Sequence, residues 1–191
     1  MLEAFVAIVI TLHPGKRVRL WAEDEMRAGL HSTQRRVWAH KGHTPVASFR
    51  REYKWLYVHA FVCPQDGATS FTLLPSMNAG LMKLACAEFV RDVDPKRQDI
   101  HILLMDGAGS HRNLAVPDNV IPFPMLPYTP ELQPAERLWP TLREAMANDS
   151  FATLDSLERT LIDRCQYMLS TPEEIRAVTQ FHWWPETTVS I

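Results

Sequence analysis

The chain has 191 residues, a length that suits one compact domain. Hydrophobic residues make up 46% and charged residues 22%, which is ordinary for a globular protein and excludes a disordered or fibrous chain. Residues 16–54 hold ten lysines and arginines against four acidic residues, whereas residues 55–191 are acidic overall. A basic first quarter is compatible with a polyanionic partner such as nucleic acid.

Neither a membrane span nor a secretory signal is expected. The sequence lacks a run of about 20 consecutive apolar residues, and its apolar start has no basic flank. Cys63, Cys86 and Cys165 have no paired spacing. Their pattern favours packing in a reducing compartment over disulfide bonds or a zinc site.

The first half of the chain predicts an antiparallel meander. Residues 17–24 alternate apolar and polar side chains with the period of two that is typical of a strand. Residues 34–39 predict a weaker strand, and residues 54–63 predict a strong one, rich in aromatic and β-branched side chains. The turn signal at 64–67 predicts a return strand over 68–74.

Helical periodicity dominates the second half. Asn78 is a candidate cap for a helix reaching about Val90. Residues 100–106 are almost wholly apolar, as expected of a buried parallel strand, and a short strand follows at 120–123. A proline-rich loop then leads to Pro134, where a helix is expected to begin.

A last helix is predicted over 153–169. The resulting order is three or four antiparallel strands, a helix, a strand, a loop, a strand and two helices. It predicts an α/β fold with one mixed sheet of about five strands flanked by helices. The ribonuclease H-like fold has this order, although a fold by itself does not define a function.

Three acidic residues occupy positions that suggest a metal site. Asp24 ends the first strand on its apolar face, and Asp106 ends the buried strand in phase with its apolar side chains. If these strands are parallel neighbours, both carboxylates emerge at the edge of the sheet where ligands usually bind. Glu136 lies in the first turn of the helix expected near Pro134.

An all-carboxylate set suits Mg²⁺ or Mn²⁺ better than zinc. Two such ions about 4 Å apart can activate the attacking oxygen and stabilise the leaving oxygen of a phosphoryl displacement. Each acid alone is also explained by a turn cap or an ion pair with arginine. Their combination favours the metal site.

Three runs of the sequence resemble the catalytic blocks of one transposase family. They are WAEDE at 21–25, LMDGAGSH at 104–111 and PYTPELQPAERLW at 127–139. The family is the DDE superfamily endonuclease domain of bacterial insertion-sequence transposases related to mariner elements. The resemblance covers roughly residues 13–170, and its third block is the most specific.

The resemblance implies a ribonuclease H-like core in which Asp24, Asp106 and Glu136 bind two Mg²⁺ (or Mn²⁺) ions. It implies nicking of DNA at the ends of an element and attack of the freed 3′-hydroxyl on target DNA. The implied partners are the terminal inverted repeats, target DNA and a second copy of the chain. The implied location is the bacterial cytoplasm, in association with the nucleoid.

The expected organisation is a catalytic domain over 17–170, with an N-terminal extension over 1–16 and a C-terminal extension over 171–191. The family normally carries helix-turn-helix modules ahead of this domain, and only about 16 residues precede the first predicted strand here. A separate reading frame would supply those modules, or the chain is a truncated copy.

The sequence also departs from the family within the blocks. Gln133 replaces the usual asparagine and keeps an amide, and the 29 residues between Asp106 and Glu136 indicate a shortened loop. Pro140 offers no N–H to the carbonyl of Glu136, so we expect a helix kink that re-aims this side chain. The kink favours the alternative of an inactive remnant that binds DNA or a partner. A ribonuclease H-like nuclease and an oligomerisation module are further alternatives.

Other residues are candidates for supporting roles. His111 would contact a DNA phosphate or a metal-bound water, or would only cap the turn after Asp106. Glu25 is a candidate for supporting the metal ligands, although strand alternation favours the other face and pairing with a nearby arginine. The candidates for DNA phosphate contacts, each of which alone is better explained as solvated surface, are Arg35, Arg36, Lys41, Arg50 and Arg51.

Overall fold

A computed structural model of the chain describes residues 1–46, 49, 51–107, 114–126, 129–185 and 187. A five-stranded sheet with the strand order β3-β2-β1-β4-β5 forms the centre of the fold. The strands are β1 (Val18–Gly29), β2 (Trp55–Cys63), β3 (Ala68–Leu74), β4 (Ile100–Met105) and β5 (Val120–Pro124). The helices are α1 (Leu2–Leu12), α2 (Ala79–Val93), α3 (Trp139–Met146), α4 (Leu154–Ser170) and α5 (Pro172–Thr179).

The sheet is mixed, as the sequence predicts. β1 pairs with β2 in antiparallel orientation and with β4 in parallel orientation, and β5 continues the parallel half. β2 and β3 form an antiparallel hairpin. Gly67 closes this hairpin with a φ of +73°, and a Cβ atom here would approach the Pro172 carbonyl oxygen to 1.8 Å, so the turn requires glycine.

The weak strand predicted over 34–39 is wrong. These residues lie exposed in the long connection between β1 and β2. The prediction that the first strand ends at Asp24 is also wrong, because β1 continues to Gly29 through its antiparallel pairing with β2. The apolar side chain of Val37 is 55% exposed, and that of Trp38 is fully exposed. The connection is tied to the end of α3, where the Arg35 N–H donates to Asn148 Oδ1 over 2.8 Å.

The helix predictions after β3 are largely confirmed. Asn78 caps α2 by accepting from the Leu81 N–H over 3.0 Å, and the helix runs to Val93. Thr153 caps α4 through a reciprocal hydrogen-bonded box with Ser156. Buried side chains of α4 pack on one face of the sheet and those of α2 pack on the other.

The two faces of the sheet bury separate cores, and β1 contributes to both by alternation. Leu20 and Ala22 face one core with Trp139 of α3. Trp21 faces the other core, where it packs edge-on against Phe89 of α2 with ring centroids 4.9 Å apart. Because alternation continues along the strand, Asp24 lies on the first face and its two glutamate neighbours lie on the second.

The chain ends pack on the first core. Val6 and Val9 of α1 and Ile175 of α5 are buried within it. The three cysteines are buried free thiols, in agreement with the packing role predicted from their spacing. Among the described residues, no helix combines the length and the apolar character needed to cross a membrane.

Candidate active site

Asp24 and Asp106 come to the same edge of the sheet. The last registered pair of the parallel strands β1 and β4 is Ala22 with Leu104, and each acid lies two residues further along its strand. Asp24 is half-buried, and Asp106 is exposed just beyond β4. The predicted parallel arrangement of these two strands is therefore confirmed.

Trp139 fixes the carboxyl group of Asp24. Its indole Nε1–H donates to Asp24 Oδ2 over 2.7 Å from a side chain that is itself buried. Burial raises the pKa of Asp24 to about 7, against the opposing effect of this hydrogen bond. The carboxylates of Glu136 and Glu25 raise this pKa further, so Asp24 and Glu136 lie within electrostatic range of each other.

Glu136 lies in a 3₁₀ helix, Pro134–Leu138, that leads directly into α3. The kink expected at Pro140 is not what the structure adopts. The backbone N–H of Trp139 donates to the Glu136 carbonyl in the 3₁₀ pattern, so this carbonyl has a donor without residue 140. Pro140 occupies the first turn of α3, where its missing N–H costs no intrahelical bond.

Gln133 attaches this 3₁₀ helix to the sheet. Its side chain is buried, and Nε2 donates to the Glu23 carbonyl of β1 over 2.8 Å. The sequence presents Gln133 only as a departure from the family pattern and Trp139 only as the last residue of the third block. The spacing of three residues between Glu136 and Trp139 is the signal that could have placed these two side chains on one face.

A second group of ionisable side chains lies on the opposite face of β1. Glu25 is directly across from His59 of β2, and His59 Nδ1 lies 3.2 Å from Glu23 Oε1. The ligand atoms of Glu23, Glu25 and His59 all lie within 4.8 Å of one another. Sequence reasoning missed Glu23 and His59, although acids at both odd positions around Asp24 were a visible signal.

The electrostatics of this group connect it with the sheet edge. Burial raises the pKa of Glu25 to about 7, and Glu23 and Asp106 raise it further, whereas His59 lowers it. Burial also lowers the pKa of His59 below its usual value, against the effect of Glu25 and Asp24. Glu25 thus shares its face with Glu23 and His59 while staying within electrostatic range of Asp106.

The remaining candidates separate into two sets. His111 and Arg50 lie outside the described residues. The described basic candidates are exposed along the connection between β1 and β2, and they are Arg35, Arg36, Lys41 and Arg51. The Arg51 guanidinium lies over the Phe49 ring, 5.4 Å from its centroid.

The family of the chain follows from comparison with known proteins. The family model described as DDE superfamily endonuclease matches residues 19–158, more than half of the chain. The chain therefore belongs to the DDE superfamily endonuclease family. An uncharacterised protein of Sinorhizobium fredii (strain NBRC 101917 / NGR234), y4pE/y4sA, is 29% identical over 132 residues, which are 68% of this chain and 96% of that protein.

Solved structures of the Mos1 transposase share the fold. The Mos1 mariner paired-end complex with Mn superposes with a TM-score of 0.60 at 18% identity, covering 92% of this chain and 58% of that chain. The Mos1 paired-end complex with the left transposon end gives a TM-score of 0.56 at 18% identity, covering 92% and 60%. The chain has the ribonuclease H-like fold and spans about three fifths of the Mos1 chains it matches.

Proposed function

We propose that this chain is a transposase catalytic domain that cleaves DNA phosphodiester bonds at the ends of a mobile element and joins the freed ends to target DNA. The environment of Asp24 carries the proposal. This half-buried carboxyl is held by the Trp139 indole, lies within electrostatic range of Glu136 and follows the last registered pair of the parallel strands β1 and β4. Membership of the DDE superfamily endonuclease family supports the same class of reaction.

Asp24, Asp106 and Glu136 would hold two Mg²⁺ or Mn²⁺ ions. The donor set fits, because these hard cations prefer carboxylate oxygens. The raised pKa of Asp24 fits as well, since a cation would replace the proton that the buried carboxyl otherwise takes up. Bound cations would supply activation of the attacking oxygen and stabilisation of the leaving oxygen. Mos1 complexes have been solved with Mn and with Mg.

The chain's own residues would position these carboxylates. The Trp139 indole restrains Asp24 Oδ2, and the 3₁₀ helix that carries Glu136 is attached to β1 through Gln133. Asp106 stays exposed at the edge, on the side from which a DNA strand would approach. Preorganised carboxylates avoid the cost of reorganising the site during the reaction.

The exposed connection between β1 and β2 would contact DNA phosphates. Arg35, Arg36, Lys41 and Arg51 are exposed there, and we include Arg50 in the same role. We propose that His111 contacts a DNA phosphate or a metal-bound water. Both assignments rest on cationic or hydrogen-bonding side chains that would hold the DNA backbone.

The proposal extends to assembly and organisation. The Mos1 structures are paired-end complexes, and we propose that this chain likewise acts as a homodimer on two element ends. A helix-turn-helix half from another reading frame would read the terminal repeats. The catalytic unit would span residues 17–170, with the flanking segments packed on it, in a bacterial protein associated with the nucleoid.

Cleavage of labelled DNA by the purified chain tests the proposal. The substrates are a duplex carrying the element end and a scrambled duplex of equal length, each with Mg²⁺ or Mn²⁺. We expect nicking that prefers the element end and that falls at least a hundredfold in Asp24→Asn, Asp106→Asn and Glu136→Gln. Asp163→Asn and Glu144→Gln, which change exposed carboxylates on α4 and α3, serve as matched controls.

The outcomes separate the alternatives. Equal cleavage of both duplexes would identify a general ribonuclease H-like nuclease. DNA binding without cleavage under any cation would identify an inactive remnant. Cleavage that survives all three substitutions would remove these carboxylates from the reaction.

A further inference from the structure

We propose that Glu23, Glu25 and His59 form a separate site for a divalent transition-metal ion, such as Zn²⁺ or Mn²⁺, on the face of the sheet opposite to Asp24. One imidazole and two carboxylates are a donor set that these ions accept readily. Nitrogen ligation distinguishes this site from the all-oxygen candidate active site. The inference is independent of the proposed DNA cleavage.

The strand register brings the three side chains together. Glu25 and His59 are direct partners across β1 and β2, and Glu23 lies two residues along β1 on the same face. Residues two apart on a strand and their cross-strand neighbours are held at fixed spacing by the ladder of hydrogen bonds. The site is therefore built on two central strands rather than on loops, which favours precise ligand geometry.

The distances suit a metal ion. The three ligand atoms lie within 4.8 Å of one another, and His59 Nδ1 lies 3.2 Å from Glu23 Oε1. Donor atoms bound to one tetrahedral ion at about 2.1 Å are roughly 3.4 Å apart. The separation of His59 Nδ1 and Glu23 Oε1 is already close to that value.

Burial supplies the second observation. Glu23 is 0% exposed and His59 is 1% exposed, and within the described part of the chain His59 Nε2 has no hydrogen-bond partner. Buried carboxyl groups are stable only when protons or cations compensate their charge. A single divalent ion would neutralise both carboxylates and engage the imidazole. Protons shared within the cluster are the competing explanation.

Metal binding to a chain without the candidate active site tests this proposal. The parent variant carries Asp24→Asn, Asp106→Asn and Glu136→Gln, and it is titrated calorimetrically with Zn²⁺ and with Mn²⁺. We expect one equivalent of metal to bind, and we expect the added substitution His59→Gln or Glu23→Gln to weaken binding at least tenfold. His182→Gln, at an exposed histidine, is the matched control and should leave the affinity unchanged.

Electron spin echo spectroscopy of bound Mn²⁺ keeps the test decisive if a cluster variant does not fold. We expect ¹⁴N modulation from a coordinated imidazole in the parent variant and in its His111→Gln derivative. A folded parent variant that binds neither ion would overturn the proposal in favour of shared protons. Bound Mn²⁺ without ¹⁴N modulation, or with modulation that His111→Gln abolishes, would also overturn it.

Discussion

The indole of Trp139 donates a 2.7 Å hydrogen bond to Asp24, and the backbone N–H of the same tryptophan donates to the carbonyl of Glu136. One residue thus connects two of the three candidate metal ligands. A hydrogen bond to an ionised carboxylate contributes about 1.5–3 kcal/mol, and it lowers the pKa that burial raises. The position of Asp24 in the site therefore depends on a buried aromatic side chain.

Replacing Trp139 with phenylalanine tests this dependence. Loss of the indole donor should raise the pKa of Asp24 by roughly one unit and weaken Mn²⁺ binding at neutral pH. We expect a three- to tenfold loss of cleavage at pH 7 that is recovered as the pH rises toward 9. The measurement is the pH profile of the cleavage rate, with Trp183→Phe, at a half-buried tryptophan near the end of the chain, as the control. A loss that is equal at every pH would assign Trp139 a packing role alone.

The contribution of Asp24 and Glu25 to stability without metal should fall as the pH rises toward neutrality. The pKa values of Asp24 and Glu25 are each raised to about 7 in the folded chain, from ordinary values of 3.8 and 4.5. Between about pH 4 and pH 7 these two carboxyl groups hold protons in the folded chain that they have released in the unfolded chain, so raising the pH favours unfolding. The stabilisation from these two groups is complete below about pH 4 and is lost as the pH rises through about 7.

Urea unfolding in the presence of a chelator, from pH 5 to pH 8, measures this effect. We expect Asp24→Asn to flatten the pH dependence and to exceed the wild type in stability at pH 8 by about 1–2 kcal/mol. Added Mn²⁺ should stabilise the wild type at pH 8 and have a smaller effect on Asp24→Asn. A pH dependence of stability that is the same in the wild type and in Asp24→Asn would contradict the raised pKa of Asp24.

The elements that set the sheet edge could be predicted from sequence because they carry strong local patterns. An almost wholly apolar run defined β4, and the period of two placed Asp24 on the apolar face of β1 with Val18, Leu20 and Ala22. The strand predicted over 34–39 failed because its apolar side chains, Val37 and Trp38, are exposed and no described strand pairs with this segment. Glu23 and His59 were missed because 36 positions separate them, and only the register of β1 and β2 brings them together.

The side chain of Gln133 should contribute to both the stability of the fold and the rate of cleavage, although it only replaces the family's asparagine with another amide. Its Nε2 donates to the Glu23 carbonyl in a buried contact between the 3₁₀ helix and β1. Gln133→Leu removes this buried hydrogen bond, and we expect a loss of about 1–3 kcal/mol in the free energy of unfolding. Displacement of Glu136 should also reduce cleavage beyond this loss of stability. Thermal unfolding and the cleavage rate below the transition measure the two effects separately.

Exposed Gln180→Leu, at the end of α5, is the matched control for Gln133→Leu. The control should change stability by less than 0.5 kcal/mol, in the usual range for exposed positions. Equal stability of Gln133→Leu and wild type would mean that the 3₁₀ helix is held by its apolar contacts alone.

Pro140→Ala should leave both stability and cleavage nearly unchanged. Pro140 is exposed in the first turn of α3, and the carbonyl of Glu136 already has the Trp139 N–H as its donor. We therefore expect a change below about 1 kcal/mol in the free energy of unfolding and below threefold in the cleavage rate. A large gain in cleavage would revive the view that the proline turns Glu136 away from the metal.

The basic connection between β1 and β2 should determine the salt dependence of DNA binding. Replacing the exposed residues Arg35, Arg36 and Lys41 with glutamine removes three candidate phosphate contacts. Each contact releases about 0.9 counterion, so the slope of log K against log salt should become shallower by roughly 2–3, with an affinity loss of tenfold or more at low salt. Fluorescence anisotropy of a labelled duplex at several salt concentrations measures both quantities.

The matched control replaces exposed cations on α2, the turn after it and α4, through Lys83→Gln, Lys96→Gln and Arg159→Gln. An equal effect of the two triple variants would show that DNA responds to net charge and does not use this connection as its binding surface.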